Sequence, residues 1–247
     1  MSEKKAILLM KNISKSFGAV EALCNVDFEL YPNEVLGLVG DNGAGKSTLI
    51  KIASGVLIAD SGEIFIEGKK VNIKSPHDAR ELGIETVYQD LALLDNLDVT
   101  KNIFVGREPR IGKFFFNSNK MARLTKEVLD SLGINIPSLF SEARFLSGGQ
   151  RQAIAVGRAA YWGCKMVIMD EPTAALGVRE SLKVLELAKK LKEKNVSIII
   201  ISHNLEHVFK VADRIIVLRK GKRAAERVIE NTTGDEIVKL ITGAEFA

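Results

Sequence analysis

Residues 40 to 47 have the types and the spacing of a phosphate-binding loop. They read Gly40, Asp41, Asn42, Gly43, Ala44, Gly45, Lys46 and Ser47, which fits the pattern G-x-x-x-x-G-K-S/T. The glycines allow a tight turn whose backbone N–H groups face phosphate oxygens. Lys46 would reach the terminal phosphates, and the Ser47 hydroxyl would bind Mg²⁺. The alternative, a glycine-rich turn that binds nothing, does not account for the Lys-Ser pair.

Two adjacent carboxylates, Asp170 and Glu171, end an apolar run that begins at Lys165. Such a run predicts a buried parallel strand whose last residues emerge at the ligand-binding edge of the sheet. There Asp170 would be a second Mg²⁺ ligand beside Ser47. Glu171 would polarise a water molecule for attack on a phosphoryl group. The alternative is an acidic strand end that faces solvent.

Gln89 and His203 also follow predicted strands, at 83–88 and 196–201. An amide at this edge can contact a ligand, and a histidine can hydrogen-bond a γ-phosphate. Most glutamines in such places cap a loop, and most lone histidines are structural. Neither residue is therefore strong evidence by itself.

A second small-residue loop lies at residues 146–150, Leu-Ser-Gly-Gly-Gln, ahead of a predicted helix through Arg158. The free N–H groups and the dipole of a helix N-terminus bind anions. The chain therefore carries two predicted anion sites.

The composition of the 247-residue chain, with 46% hydrophobic and 27% charged residues, is typical of a globular protein. A formal net charge of +4 is too small to indicate nucleic-acid binding by itself. No apolar run approaches the roughly 18 residues of a membrane-spanning helix. The two cysteines provide neither a disulfide framework nor metal-ligand spacing, which favours a reducing compartment. The length suits one α/β domain, with or without an inserted lobe.

The periodicity of apolar residues predicts the strands and helices that carry these residues. Alternating and apolar runs predict strands at 7–10, 20–30, 63–67, 83–88, 165–170 and 196–201, and a terminal hairpin at 215–228. Phe17 lies in the predicted turn between the first two strands. On spacing alone, we interpret it as a core residue of the small sheet and not as a platform for a nucleotide base.

Residues 90–145 are predicted to be mainly helical, because the core-strand pattern stops there and apolar residues recur at helical spacing. One helix in this lobe is capped near Asn117 and ends at Gly133. Two more helices are predicted, at 180–194 and 235–241. Phe114, Phe115 and Phe116 are either core of the lobe or a partner contact, and we favour the core.

Taken in order, these motifs resemble those of the ATP-binding subunits of ABC transporters, and the resemblance covers essentially the whole chain. The motifs are the P-loop at 40–47, Gln89 as the Q-loop, residues 146–150 as the signature, Met166 to Asp170 as Walker B, Glu171 as the base and His203 as the switch histidine. The resemblance implies an α/β P-loop NTPase fold: a RecA-like core with a mostly parallel sheet, an antiparallel β subdomain and a helical subdomain at roughly 90–160. It implies a single ATP-binding domain over residues 1–247.

The resemblance also implies roles for individual residues. ATP would contact the P-loop and Thr48, and adenine would stack on Phe17, which reverses the interpretation from spacing alone; the family commonly has tyrosine there. The Mg²⁺ ligands would be Ser47, Gln89 and Asp170. The catalytic residues would be Lys46, Gln89, Glu171 and His203. The family works as two ATPase domains packed head to tail, so ATP would also contact Ser147, Gly148, Gly149 and Gln150 of the partner copy.

Residues 83–93, 95–99 and 171–180 resemble bacterial monosaccharide importers more narrowly, those for fructose and xylose most closely. This likeness implies a membrane permease as partner, an extracytoplasmic sugar-binding protein reached indirectly, no nucleic acid, and a peripheral location on the cytoplasmic face of the inner membrane. Because many such subunits are two fused domains and this chain has one, we expect it to pair with a second ATP-binding subunit, either a copy of itself, which we favour, or another chain.

Gly177 departs from the family, which commonly has an aspartate at this position in the D-loop. Two alternatives to the importer ATPase stay open. The chain could be a soluble ABC ATPase that acts on nucleic acid or ribosomes, although such proteins usually carry a second ATPase domain or a long coiled-coil insertion. It could also be a weakly hydrolysing regulatory module, for which Gly177 is the only support.

Overall fold

A computed structural model describes residues 5–112 and 115–244 of the chain. The strands in these ranges are β1 (Leu8–Phe17), β2 (Val20–Leu30), β3 (Val35–Val39), β4 (Ser61–Ile66), β5 (Lys69–Val71), β6 (Ile84–Val87), β7 (Arg110–Ile111), β8 (Phe115–Phe116), β9 (Met166–Asp170), β10 (Ser197–Ile201), β11 (Arg214–Arg219) and β12 (Lys222–Val228). The helices are α1 (Lys46–Ala53), α2 (Pro76–Glu81), α3 (Val99–Phe104), α4 (Ser118–Leu132), α5 (Gly148–Tyr161), α6 (Val178–Glu193), α7 (Leu205–Val211) and α8 (Gly234–Thr242).

The central sheet has six strands in the order β12-β11-β3-β10-β9-β6. The five strands from β11 to β6 pair in parallel, and β12 pairs antiparallel with β11 at the edge. All five residues of β3 and of β10 are buried, as expected for parallel strands covered on both faces. The predicted mostly parallel core and the predicted terminal hairpin are confirmed.

A second sheet, in the order β2-β1-β4-β5, is antiparallel and packs on one face of the core. Alternate residues of a strand point to opposite faces, so β3 contributes to two clusters. Leu36 and Leu38 pack with the antiparallel sheet and α1, whereas Val35 and Val39 pack on the side of the larger helices. The predicted strand at 7–10 extends to Phe17, so Phe17 ends β1 opposite Val20 instead of lying in the turn.

The helical lobe is built from α3, α4 and α5, which pack on one another. Phe104 is fully buried and makes edge-to-face contacts with Tyr161 and Trp162, at centroid distances of 4.7 and 5.9 Å. One helix of the lobe, α4, has the predicted bounds. Asn117 is its N-cap, and Gly133 follows its end in a left-handed conformation.

The lobe also contains a short hairpin, β7–β8, that the sequence did not indicate. Phe115 and Phe116 form its second strand and are 73% and 57% exposed, so their assignment to the core was wrong. A strand of two residues buries little surface, so its side chains stay exposed, and the helical periodicity of the surrounding segment does not apply to it. Phe114 lies outside the described residues.

No helix in the described part of the chain has the length and hydropathy needed to cross a membrane.

Candidate active site at the carboxyl edge of the parallel sheet

Four parallel strands bring the predicted motifs to one edge of the sheet. The P-loop follows β3, Gln89 follows β6, Asp170 ends β9 with Glu171 next to it, and His203 follows β10. The register places Ile201 of β10 between Leu38 of β3 and Asp170 of β9. Ligands bind at the carboxyl ends of the strands in open α/β sheets, and this edge carries the chemistry-bearing residues predicted from the sequence.

The P-loop turns tightly because Gly45 adopts φ +103° at the N-cap of α1. A Cβ on Gly45 would lie 2.7 Å from the carbonyl oxygen of Ala22, so only glycine fits both the backbone angle and the space. No side chain caps the N-terminus of α1. Its first N–H groups therefore retain the capacity to bind an anion.

Lys46 curls over the loop that precedes it. Its Nζ donates to the carbonyl oxygens of Gly40, at 2.6 Å, and Asp41, at 2.9 Å. Burial lowers the pKa of Lys46, and the nearby carboxylates of Glu171, Asp41 and Asp170 oppose that change. The ammonium group is therefore close to both carboxylates at the end of β9, where a phosphate chain would need neutralising charge.

Asp170 carries a destabilised negative charge. Burial raises its pKa, the charge of Glu171 raises it further, and Lys51 and Lys46 act against both. A hydroxyl, an amide oxygen and a carboxylate, from Ser47, Gln89 and Asp170, are oxygen donors of the kind Mg²⁺ binds together with water and phosphate. A divalent cation would offset the charge that burial disfavours, so the donor set fits the predicted ion.

Glu171 contacts His203, the predicted switch histidine, through both carboxylate oxygens. Its Oε1 accepts a hydrogen bond from the backbone N–H of His203 at 3.0 Å, and its Oε2 lies 2.8 Å from His203 Nδ1. The Glu171 side chain is 17% exposed and that of His203 is 71% exposed. Glu171 also has φ +49°, a conformation that non-glycine residues rarely adopt and that is concentrated at functional sites.

Gln89 is exposed, two residues beyond the end of β6. The segment after it is held by the signature helix, because Arg158 of α5 donates to the carbonyl oxygens of Leu91 and Ala92 at 3.2 and 3.1 Å. Burial lowers the pKa of Arg158, and Glu85 opposes that change. The Q-loop and the signature loop are therefore joined through α5.

The signature loop is ordered by a capping box. Ser147 Oγ accepts from the N–H of Gln150, and Gln150 Oε1 accepts from the N–H of Ser147. Because these two residues satisfy each other, the N–H groups of Gly148 and Gly149 are the ones that face an incoming anion. Gly148 packs against Leu176, since a Cβ there would lie 2.9 Å from Leu176 Cδ2.

Phe17 is 48% exposed, with Lys15 Nζ 5.8 Å from its ring centroid. The core interpretation from spacing alone was therefore wrong. An exposed ring at the end of β1 is free to receive a base, and its role in stacking stays a prediction.

Three contacts around the site are not predictable from the sequence: Glu171 with His203, Arg158 with the Q-loop, and Thr173 with His207, whose Oγ1 and Nδ1 are 2.9 Å apart. Each joins residues that are 32 or more positions apart. No local pattern signals them, and only the parallel order of the strands brings them together.

A phosphate-binding loop at the carboxyl edge of a parallel sheet, with two carboxylates at the end of a nearby strand, defines a P-loop nucleotide-binding protein.

A sequence profile described as ABC transporter matches residues 23–174. The xylose/arabinose import ATP-binding protein of Sulfolobus acidocaldarius is 52% identical over 96% of this chain and 94% of that protein. The fructose import ATP-binding protein of Rhizobium meliloti is 46% identical over 98% of this chain and 96% of that protein. The ribose import ATP-binding protein of Clostridium tetani is 42% identical over 99% of this chain but only 48% of its own length.

Solved structures of ATP-binding cassettes have the same fold as this chain. A nucleotide-free ATP-binding cassette from an ABC transporter has a TM-score of 0.81 and 29% identity, covering 96% of this chain and 95% of that one. A cassette in its ADP conformation has a TM-score of 0.81 and 29% identity, covering 97% and 96%. The chain therefore belongs to the ABC transporter family, and its fold is that of an ATP-binding cassette. The predicted family and fold class are confirmed.

Proposed function

We propose that this chain is the ATP-hydrolysing subunit of an ABC importer and powers uptake of a monosaccharide through a membrane permease. The observation that carries the proposal is similarity along nearly the whole chain to two import ATP-binding proteins, one for xylose/arabinose and one for fructose. The P-loop, both carboxylates and the switch histidine are all present at one edge of the sheet. Residues 1–247 would form one ATP-binding domain, with the helical subdomain at roughly 90–160.

ATP would bind with its phosphates on the P-loop and on the uncapped start of α1, where Lys46, Ser47 and Thr48 lie. Lys46 would exchange its bonds to the Gly40 and Asp41 carbonyls for stronger charge-assisted bonds to phosphate oxygens. Adenine would stack on the exposed ring of Phe17.

Mg²⁺, held by Ser47, Gln89 and Asp170, would neutralise charge on the β- and γ-phosphates. Glu171 would accept a proton from the attacking water. His203 would donate its Nδ1–H to Glu171, whose Oε2 lies 2.8 Å away, and, with both ring nitrogens protonated, would donate its Nε2–H to a γ-phosphate oxygen. Catalysis would then consist of positioning and charge stabilisation.

Each chain carries two loops that can bind phosphate, yet they pack on different parts of the fold. The P-loop lies against Ala22 and Leu218, whereas the signature loop lies against Leu176 and Glu180. In a head-to-tail homodimer, the signature loop residues Ser147, Gly148, Gly149 and Gln150 of one copy would complete the ATP site of the other.

The permease would dock in the groove between the core and the helical lobe, around residues 90–116. A cavity of about 230 Å³ lies there, lined in part by Ala92, Val105, Arg107 and Trp162. Arg107 stacks on Trp162, with Cζ 4.6 Å from the ring centroid, and lies 3.6 Å from Glu85. This contact would place the subunit on the cytoplasmic face of the membrane, with the extracytoplasmic sugar-binding protein reached only through the permease.

Glu171→Gln tests the proposal, because the amide retains the shape of the carboxylate and an acceptor for the His203 N–H but does not take up a proton at neutral pH. We expect Mg-ATPase activity to fall about 100-fold or more, and size-exclusion chromatography to show a dimer only with Mg-ATP. Glu206→Gln, an exposed site on α7, is the matched control and should behave as wild type.

Lys46→Ala completes the test. The single variant should lower ATPase activity more than tenfold, and the double variant Lys46→Ala with Glu171→Gln should form no ATP-dependent dimer. Hydrolysis and dimerisation both depend on phosphates bound at the P-loop. Wild-type turnover from Glu171→Gln or Lys46→Ala would contradict the assigned roles. A monomer for Glu171→Gln with Mg-ATP would contradict the homodimer.

A further inference from the structure

Residues 171–177, here called the β9–α6 loop, link the proposed base to the signature loop. At its start, Glu171 has φ +49° and its N–H donates to the Ile201 carbonyl at 2.9 Å. A left-handed glutamate persists only when surrounding contacts enforce it. The position of the carboxylate therefore depends on how the rest of the loop is held.

A side-chain hydrogen bond holds the middle of the loop. Thr173 is 7% exposed, and its Oγ1 lies 2.9 Å from Nδ1 of His207 on α7. His207 is in turn tied to the segment after β10. Asn204 Oδ1 accepts the His207 N–H at 3.3 Å, and Ser202 Oγ accepts the Asn204 N–H at 3.1 Å. Thr173 is thus bonded to the segment that carries His203.

The far end of the loop lies against the signature loop. The N–H of Leu176 donates to the carbonyl of Thr173 at 3.3 Å, and Leu176 Cδ2 fills the space beside Gly148. Gly177, the last residue, gives α6 no side-chain cap. The Thr173–His207 bond is therefore the central anchor between the base at one end and the signature contact at the other.

We propose that Thr173 and His207 are a positioning pair that keeps Glu171 and His203 in their catalytic arrangement. This inference rests on the proposed function. Loss of the His207 side chain leaves the buried Thr173 hydroxyl without a partner, and loss of the hydroxyl leaves His207 Nδ1 without one. Either change removes the bond that holds the loop in this arrangement, so the loop shifts toward others. Hydrolysis is sensitive to displacements of about 1 Å at a catalytic group, whereas ATP binding at the P-loop does not use this loop.

The test measures steady-state ATPase activity and the melting temperature of the full-length chain for Thr173→Val, His207→Leu and the double variant. We expect each single variant to lower kcat about fivefold, with KM for ATP changed less than about twofold; fivefold corresponds to about 1 kcal/mol. The double variant should lose no more than either single one, because the two act through one bond. Thr173→Ser and His207→Asn keep a bonding partner and should retain at least half of wild-type kcat.

Thr125→Val is the matched control. Thr125 of α4 is fully buried and its hydroxyl has no hydrogen-bond partner among the described residues, so this variant should keep wild-type kcat. Wild-type kcat in Thr173→Val, additive losses in the double variant, or losses in Thr173→Ser and His207→Asn equal to those in Thr173→Val and His207→Leu would each overturn the pairing. Should Thr173→Val not fold, the comparison of His207→Leu with His207→Asn tests the same bond from a half-buried position. Failure of the proposed function would look different: the wild type and Lys46→Ala would then hydrolyse ATP equally.

Discussion

The N-terminus of α6 lacks a side-chain cap. Gly177 is the N-cap of this 16-residue helix and contributes no side-chain hydrogen bond. In contrast, Asp98, Asn117, Ser147 and Thr233 each cap their helices with a side chain. With φ −67° and ψ 167°, the backbone of Gly177 is one that any residue adopts. Serine at this position should therefore stabilise the protein.

The expected magnitude follows from two effects. A serine hydroxyl would accept the N–H of Glu180, the third helical residue, which stabilises a helix by a few tenths of a kcal/mol relative to glycine. Replacing glycine also reduces the conformational freedom of the unfolded chain, by about 0.4–1 kcal/mol. Their sum of about 1 kcal/mol raises Tm by about 2–4 °C in a chain of this size. Glu180 Oε2 lies 2.8 Å from the new Cβ position, but this is the flexible end of a side chain and can move.

Differential scanning calorimetry on Gly177→Ser, Gly177→Asp and Gly163→Ser would measure these effects. Gly177→Asp should stabilise less than Gly177→Ser, because its carboxylate would face that of Glu180. Gly163 is the matched control: a Cβ there meets nothing within 4 Å, but φ is +64°, so serine should lower Tm through backbone strain. The reasoning would be refuted by a Tm for Gly177→Ser that equals or falls below the wild-type value, or by equal effects at the two glycines.

Two further predictions follow from burial. Burial raises the pKa of Cys164 to about 12, so in a Cys24→Ser variant a thiol reagent at about pH 8 should label the folded protein orders of magnitude more slowly than the protein in denaturant; equal rates would contradict the buried assignment. The raised pKa of Asp170 means that the folded state disfavours the carboxylate, and this cost is present above the raised pKa and lost as pH falls through it. Asp170→Asn should therefore raise Tm at neutral pH without Mg-ATP while lowering Mg-ATPase activity, and the Tm difference should shrink on acidification; a lower Tm at neutral pH would contradict the electrostatic argument.

The parts of the site that the sequence predicted are those with local patterns. The P-loop and the apolar runs before Asp170 and His203 are short segments whose structure depends on neighbouring residues, and the parallel order of their strands then brings them to one edge. Phe115 and Phe116 were misassigned because an aromatic run is equally compatible with a core segment and with an exposed hairpin.

Long-range contacts could not be predicted in this way. The Thr173–His207 bond needs a loop after β9 to meet the helix after β10, and nothing in either segment specifies its partner. The left-handed angle of Glu171 is likewise invisible in the sequence, since glutamate has no preference for it. Such features arise from the way the fold closes around the site, and they are the ones that position the proposed base.

The two loops that are predicted to bind phosphate differ in how many backbone N–H groups lack a partner without a ligand. The signature helix α5 is capped by Ser147 and Gln150, so the N–H of Gln150 has a partner without nucleotide, whereas those of Gly148 and Gly149 remain for an anion. The N-terminus of α1 has no side-chain cap, and Lys46 bonds to loop carbonyls instead. An anion therefore stabilises the P-loop more than it stabilises the signature loop. In the proposed dimer, ATP would bind first to the P-loop of one copy, and the preformed signature loop of the partner would then close on the bound γ-phosphate.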